Sequence, residues 1–126
     1  MLAEYLIFAI GSGLGGMLRF AVSSDPVFGY AHTFIPFDTV LVNGIGSFVG
    51  GFVASLSLRA ETAGARAFLV GFAGGVTTFS AFSLDTVQVI QSGHPLEALL
   101  YLIISVTLYV LAAFVGFVAA DYVEAP

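Results

Sequence analysis

The sequence predicts an all-α membrane protein of four transmembrane helices, and three observations carry that prediction. Hydrophobic residues make up 59% of the 126 residues and charged residues only 9%, against the roughly one quarter charged that soluble domains carry. The apolar residues gather into four runs, Tyr5 to Val22, Thr39 to Leu58, Ala67 to Ile90 and Leu96 to Ala120, each close to the ~20 residues that a bilayer core demands. Between the runs stand proline, glycine and polar residues, which end helices and mark connections.

The first span is expected to remain in the mature chain. Met1 to Glu4 contains no basic residue, and the apolar run continues into Gly15, Gly16 and Arg19 without a small-residue cleavage signal. Gly11, Gly13 and Gly16 match G-x-G-x-x-G, but that dinucleotide fingerprint needs a strand and a soluble βαβ unit. Close helix packing accounts for these glycines better. The connection from Ser23 to Asp38 holds Pro26, Gly29, His32 and Pro36 and reads as a true loop.

The second span carries Asn43 within VNGIGSFVGG. A carboxamide in hydrocarbon must find a partner, either an acceptor on another helix or a ligand for its two N–H donors. A short polar connection, Arg59 to Arg66, leads to the third span. There GFAGGVTTFSAFS, residues 71–83, places paired glycines and paired threonines at mid-membrane depth. A break is expected at that point, and its freed carbonyls must face protein, water or an ion rather than lipid. An ordinary kink absorbed by the threonine hydroxyls is the plainer alternative.

Beyond that point Phe79 and Phe82 project from one helical face, beside Ser80 and Ser83. Aromatic residues in membrane helices ordinarily face lipid or pack, yet a ring edge is electropositive and can replace water around a small anion. Asp85 follows on the same face, toward the end of the span, where it is expected to cap the span in water or else to pair with a hydroxyl in a vestibule. Gln91 to Pro95, with Gly93, forms a tight connection. On the fourth span Tyr101, Ser105 and Tyr109 recur at i, i+4 and i+8 and align their hydroxyls; Tyr101 also suits an interfacial anchor.

Arg19, Arg59 and Arg66 are the only basic residues, and the formal net charge is −5. Nucleic acid is therefore not an expected partner. The absence of cysteine removes disulfides, thiolate metal sites and cysteine nucleophiles, and no catalytic triad or metal-hydrolase motif appears. Four spans put both termini on one side with Arg59 and Arg66, and Arg19 toward the other. Two against one barely biases orientation, so one fixed orientation and insertion both ways remain open. Gly11 and Gly15, Gly46 and Gly50, and Gly71 and Gly75 form small-xxx-small pairs that let helix backbones approach closely.

GGMLRF at 15–20, VNGIGSFVGG at 42–51 and GFAGGVTTFSAFS at 71–83 together resemble the signature segments of the Fluc (CrcB) fluoride channel family, in order and spacing and over essentially the whole chain. The resemblance implies an antiparallel, dual-topology dimer in the plasma membrane, built from two copies of this chain or from this chain and a related subunit. It further implies a structural Na+ at the dimer centre, held by the main-chain carbonyls of Gly74 and Thr77, and two fluoride pores. Phe79 and Phe82 would line those pores, with Asn43 as a donor, Thr78 and Ser80 beside them, and Tyr101 and Ser105 as a polar track. Arg19, by its place near the end of the first span, either snorkels to the interface or sets a positive potential at an aqueous vestibule. Tyr109 stands where a smaller hydroxyl residue is expected, and Phe20 where tyrosine is common.

A proton-coupled antiporter of the small multidrug type is the rival, since it also has four short helices. It needs a carboxylate deep in the membrane; Glu4 and Asp85 both lie near helix ends. A subunit that only assembles through the glycine seams is a third reading, and predicts no ion flux.

Overall fold

The computed structural model describes residues 1–24, 35–59 and 62–123, excluding the side chains of 57–59. Most of the expected first loop, with Pro26, Gly29 and His32, lies outside the described residues, as does the Arg59 side chain. Five helices are described: α1 Leu2–Ser23, α2 Phe37–Arg59, α3 Ala63–Val76, α4 Phe79–Gln91 and α5 Pro95–Val123. With α3 and α4 taken as one span, four segments are long and apolar enough to cross a membrane.

The helices run a few residues past the apolar runs. α1 begins at Leu2 rather than Tyr5, and α5 continues to Val123. Hydrophobicity marks the hydrocarbon slab, whereas backbone hydrogen bonding can continue into the headgroup layer. At ~1.5 Å per residue the 29 residues of α5 extend about 43 Å, well beyond the ~30 Å core. By the same rise the 14 residues of α3 and the 13 of α4 are each too short to cross alone. Thr77 and Thr78, extended residues between them, therefore lie inside the membrane.

Alternate spans pack together and run parallel, as an up-down-up-down chain requires. α1 lies along α3, where glycine backbones interlock. A Cβ on Gly11 or Gly15 would fall on the carbonyl of Phe68 or Phe72, and one on Gly71 or Gly75 on the carbonyl of Phe8 or Ser12. Contact this close is open only to residues without a side chain, and it supplies the packing that takes the place of hydrophobic driving force in lipid. Gly13 and Gly16 have open space instead. The second seam joins α2 to α5 through Gly51 against Ala113 and Gly116 against Phe48. Gly46 faces Thr77, while Gly50 only reaches the Ala73 methyl at ordinary contact distance.

The α4–α5 connection closes on Gly93, whose φ of 86° is open to glycine at little cost. The Gly93 and His94 N–H groups return to the carbonyls of Ile90 and Val89 at 3.0 and 3.2 Å, satisfying two end carbonyls of α4. Pro95 then starts α5, where a missing N–H costs nothing.

Large apolar side chains on the outer faces of α1 and α5, among them Leu6, Met17, Ile104 and Phe114, are exposed and suit lipid. Polar residues go inward: Thr39, Asn43, Ser55, Thr78, Thr86 and Ser105 are buried. Thr86 donates to the Phe82 carbonyl on its own helix at 2.8 Å. Ser55 reaches across the second seam and donates to Asp121 at 2.9 Å. Each bond satisfies a hydroxyl that would be costly to leave bare away from water.

Candidate functional site

The site grows from the end of α3. Thr77 takes φ −78° and ψ 153°, and Thr78 φ −147° and ψ 113°, so the helical ladder stops for two residues. The Thr77 N–H still makes the last rung, to the Ala73 carbonyl at 3.3 Å, and the Thr77 hydroxyl lies the same distance from that oxygen. That hydroxyl also lies 3.4 Å from the Gly74 oxygen. The Thr78 hydroxyl caps α4, accepting from the Ala81 N–H at 3.1 Å, and lies 3.2 Å from the Ser80 hydroxyl.

Asn43 of α2 binds the Thr78 peptide on both sides. Its Nδ2 donates to the Thr78 carbonyl at 3.0 Å, and its Oδ1 accepts the Thr78 N–H at 2.6 Å. In a continuous helix that N–H would have bonded to Gly74. Side chains thus supply partners that the interrupted ladder no longer gives, at a depth where lipid supplies none. From α1, Arg19 Nε donates to the Gly75 carbonyl at 3.4 Å, placing a cation at the negative end of α3.

A cavity of about 300 Å³ opens beside this clamp, lined by Asn43, Ser47, Thr78, Phe79, Phe82 and Tyr109 among others. Phe82 is only 5% exposed and Phe79 80%, so the pair projects from one face into different surroundings. Their centroids are 5.9 Å apart. Phe82 is wedged between two rings of α5, with Tyr101 at 5.2 Å and Tyr109 edge-on at 6.0 Å. The cavity lining holds no charged side chain. It presents amide and hydroxyl groups beside aromatic rings, a combination able to solvate a small ion without a fixed charge to trap it.

The remaining expected residues sit elsewhere. Tyr101 and Ser105 are buried and line a separate, largely apolar cavity of about 440 Å³ with Phe37, Val40 and Ile104. Gly74 and Thr77 border a groove of about 560 Å³ along α2 and α3, with Gly46, Gly50 and Ala73. Ser80 is exposed beside Thr78. Arg19 is committed to the end of α3. Asp85 does not sit in free water at a helix end. It is half-buried in α4, faces the hydroxyls of Thr39 and Tyr101, and leaves its Oδ2 without a partner.

Ser47 is a polar lining residue that residue type alone does not single out. Its signal was present: it stands one turn after Asn43 in the same segment, on the face that α2 turns toward the interruption. Tyr109, set apart because of its size, belongs to the cavity lining.

A family model described as CrcB-like protein, Camphor Resistance (CrcB), matches residues 6–117. The chain belongs to the CrcB family. Two strains of Thermus thermophilus have relatives named "Fluoride-specific ion channel FluC". One is 42% identical over 116 residues, covering 90% of this chain and 91% of the relative; the other is 40% identical, covering 90% and 92%. A relative of the same name from Azobacteroides pseudotrichonymphae is 34% identical over 125 residues, covering 97% of this chain and 99% of its own length. The match to the CrcB model takes in the glycine seams, the clamp and every cavity residue named above.

Proposed function

We infer that this CrcB protein is a fluoride-selective ion channel of the cell membrane that lets cytoplasmic fluoride leave passively. The observation that carries the inference is its similarity over nearly full length to relatives named as fluoride-specific channels. The chemistry of the cavity supports it. Fluoride is small and tightly hydrated, so a selective path must offer donors in place of water without binding too tightly. Neutral N–H and O–H groups and ring edges answer both demands. The reading is of a passive pore, not an enzyme.

The pore residues are proposed as Asn43, Thr78, Phe79, Ser80 and Phe82, continued by Tyr101 and Ser105. In one chain the latter two line a different cavity, so the proposed path is completed by a second subunit, an identical or a related chain inserted oppositely. The near balance of Arg19 against Arg59 and Arg66 supports insertion both ways.

Na+ is the proposed structural ion of that dimer. Among the described residues no group of three or more acidic, histidine or cysteine side chains could hold a metal, so a cation would rest on main-chain oxygens. Such neutral oxygens suit a hard cation. Gly74 is exposed, with nothing within 4 Å of where its Cβ would stand, and its carbonyl has lost the Thr78 N–H. Gly74 and Thr77 would hold the ion, and two copies of the pair supply the ligand number that one chain lacks. Bound there, Na+ would contribute positive potential and cross-link the subunits.

The test is fluoride efflux from liposomes containing only this purified chain. Fluoride-selective release is expected; failure to release fluoride, or equally rapid chloride release, would refute the reading.

A further inference from the structure

Toward the α4–α5 connection, three helices each advance about one turn beyond the clamp and bring a second polar cluster together. Thr39 stands one turn before Asn43 on α2, Asp85 three residues past Phe82 on α4, and Tyr101 one turn before Ser105 on α5. Thr39 is 4% exposed and Tyr101 2%, and both hydroxyls face the Asp85 carboxyl. Asp38, in the first turn of α2, is close enough for its charge to act on both Asp85 and Tyr101.

Two features of this cluster are left over by the pore reading. Asp85 Oδ2 is closed to solvent and has no hydrogen-bond partner, and the Tyr101 hydroxyl is in the same state. A bare carboxylate oxygen away from water is far more costly than a neutral one, and carboxyl groups within membrane spans are functional by default. Asp38 enlarges that cost, since two like charges in one site disfavour each other. α4 packs on α5 and α2, and the titratable groups that face Asp85 from them are Tyr101 and Asp38. Neither is a cation. On α5, Glu97 stands a turn nearer the connection than Tyr101, and His94 precedes the helix. Arg19 is engaged at the end of α3. An oxygen already closed to a water-sized probe has no room for a metal ion, but it has room for a proton.

We propose that Asp38 and Asp85 form a proton-binding pair at the mouth of the fluoride path, and that the path conducts best when the pair holds one proton. The proposal rests on the fluoride reading above and adds to it a regulation of the same path by pH. An acid in the first turn of a helix is favoured as its anion, so Asp38 keeps its charge and Asp85, half-buried and reachable from the mouth, takes the proton from water. With both carboxylates ionised the mouth repels an anion, by a Coulomb term that grows in low dielectric. One bound proton removes half of that charge.

Fluoride current across planar bilayers, with equal pH on both sides, tests this because neutral HF carries no current. Wild type, Asp38→Asn, Asp85→Asn and Glu4→Gln, a control at the opposite end of the molecule, are compared between about pH 5 and about pH 8. Wild-type current should rise about fivefold or more toward the acid end. Asp85→Asn should carry a current independent of pH. Asp38→Asn should need a lower pH for the same rise, because the neighbouring charge that favours the proton has gone. Glu4→Gln should follow wild type. Equal wild-type current at both ends of the range overturns the proposal and leaves the channel reading standing. A rise that Asp85→Asn keeps, or that Asp38→Asn leaves unshifted, belongs to another group and overturns the pair. Where Asp85→Asn fails to fold, the Asp38→Asn profile decides alone. A wild type that carries no fluoride current at any pH overturns both readings.

Discussion

Asn43 and Thr78 exchange two hydrogen bonds, Nδ2 to carbonyl at 3.0 Å and N–H to Oδ1 at 2.6 Å, across the gap between α2 and the start of α4. One side chain thereby satisfies both polar groups of a peptide at bilayer depth and fixes the position of Phe79 and Phe82 just beyond it.

Asn43→Asp separates the two halves of that clamp. The carboxylate still accepts the Thr78 N–H but, while ionised, cannot donate to the carbonyl and places negative charge at the cavity. Loss of one buried bond costs about 1–3 kcal/mol, so the variant should melt lower. Fluoride efflux should fall at least about a hundredfold, because the charge repels the anion. Melting curves and liposome flux measure the two effects separately.

Gly11 and Gly13 stand two residues apart on α1 and should behave oppositely. A methyl at Gly11 meets the Phe68 backbone, whereas at Gly13 it meets open space. Gly11→Ala must push α1 from α3 and should destabilise by about 1–3 kcal/mol. Gly13→Ala should be neutral. Thermal melts of the two proteins in one detergent make the comparison, and equal melts would refute the seam.

Phe79 and Phe82 should divide stability from conduction. Phe82→Ala removes a ring packed between Tyr101 and Tyr109 and should cost about 3–5 kcal/mol. Phe79→Ala, at a position 80% exposed, should leave the melting temperature within a few degrees of wild type. Its fluoride efflux should nonetheless drop. Unaltered flux in Phe79→Ala would remove it from the pore.

Sodium removal should weaken the assembled protein. An ion bound only to the folded dimer raises its stability as its concentration rises above its dissociation constant. Exchange of Na+ for a bulky organic cation should lower the melting temperature, and returning Na+ should restore it. Gly74→Leu, which fills the space beside the carbonyl, should abolish that dependence.

Arg19 is expected to stabilise the end of α3 as well as to influence anions nearby. Arg19→Gln keeps a donor able to reach the Gly75 carbonyl but removes the charge. Flux should become less sensitive to ionic strength, since a screened charge has gone. Stability should change by less than about 1 kcal/mol. An unchanged salt dependence would assign Arg19 to capping alone.

Much of the architecture was legible in the chain because lipid imposes a simple rule. Four runs of sufficient length and apolarity must become spans, since hydrocarbon offers a backbone no other way to satisfy itself. Gly11, Gly15, Gly71 and Gly75 were legible as seams for a related reason: their spacing puts two gaps on one face of each helix. The spacing did not say that the first pair meets the second. That pairing, and the second seam of Gly51 on Ala113 and Gly116 on Phe48, depends on which spans become neighbours.

The site was legible as a set of residues and illegible as an arrangement. Asn43, Thr78, Phe79 and Phe82 stood out because amides, paired threonines and paired phenylalanines are unusual at mid-membrane depth. Tyr109 is large for a pore position by residue type, and Ser47 is unremarkable beside Asn43. Residue type weighs positions singly, whereas the cavity is bounded by three segments distant in sequence.

What the amino-acid sequence determined by itself was the solvent, the number of crossings and the residue types carried into the membrane, because each follows from local transfer energies. Only the tertiary structure decided that Asn43 holds Thr78, that Arg19 caps α3, and that Tyr109 rather than Tyr101 lines Asn43's cavity. Those are choices among partners. Every buried polar group must find one, and packing between distant helices selects which.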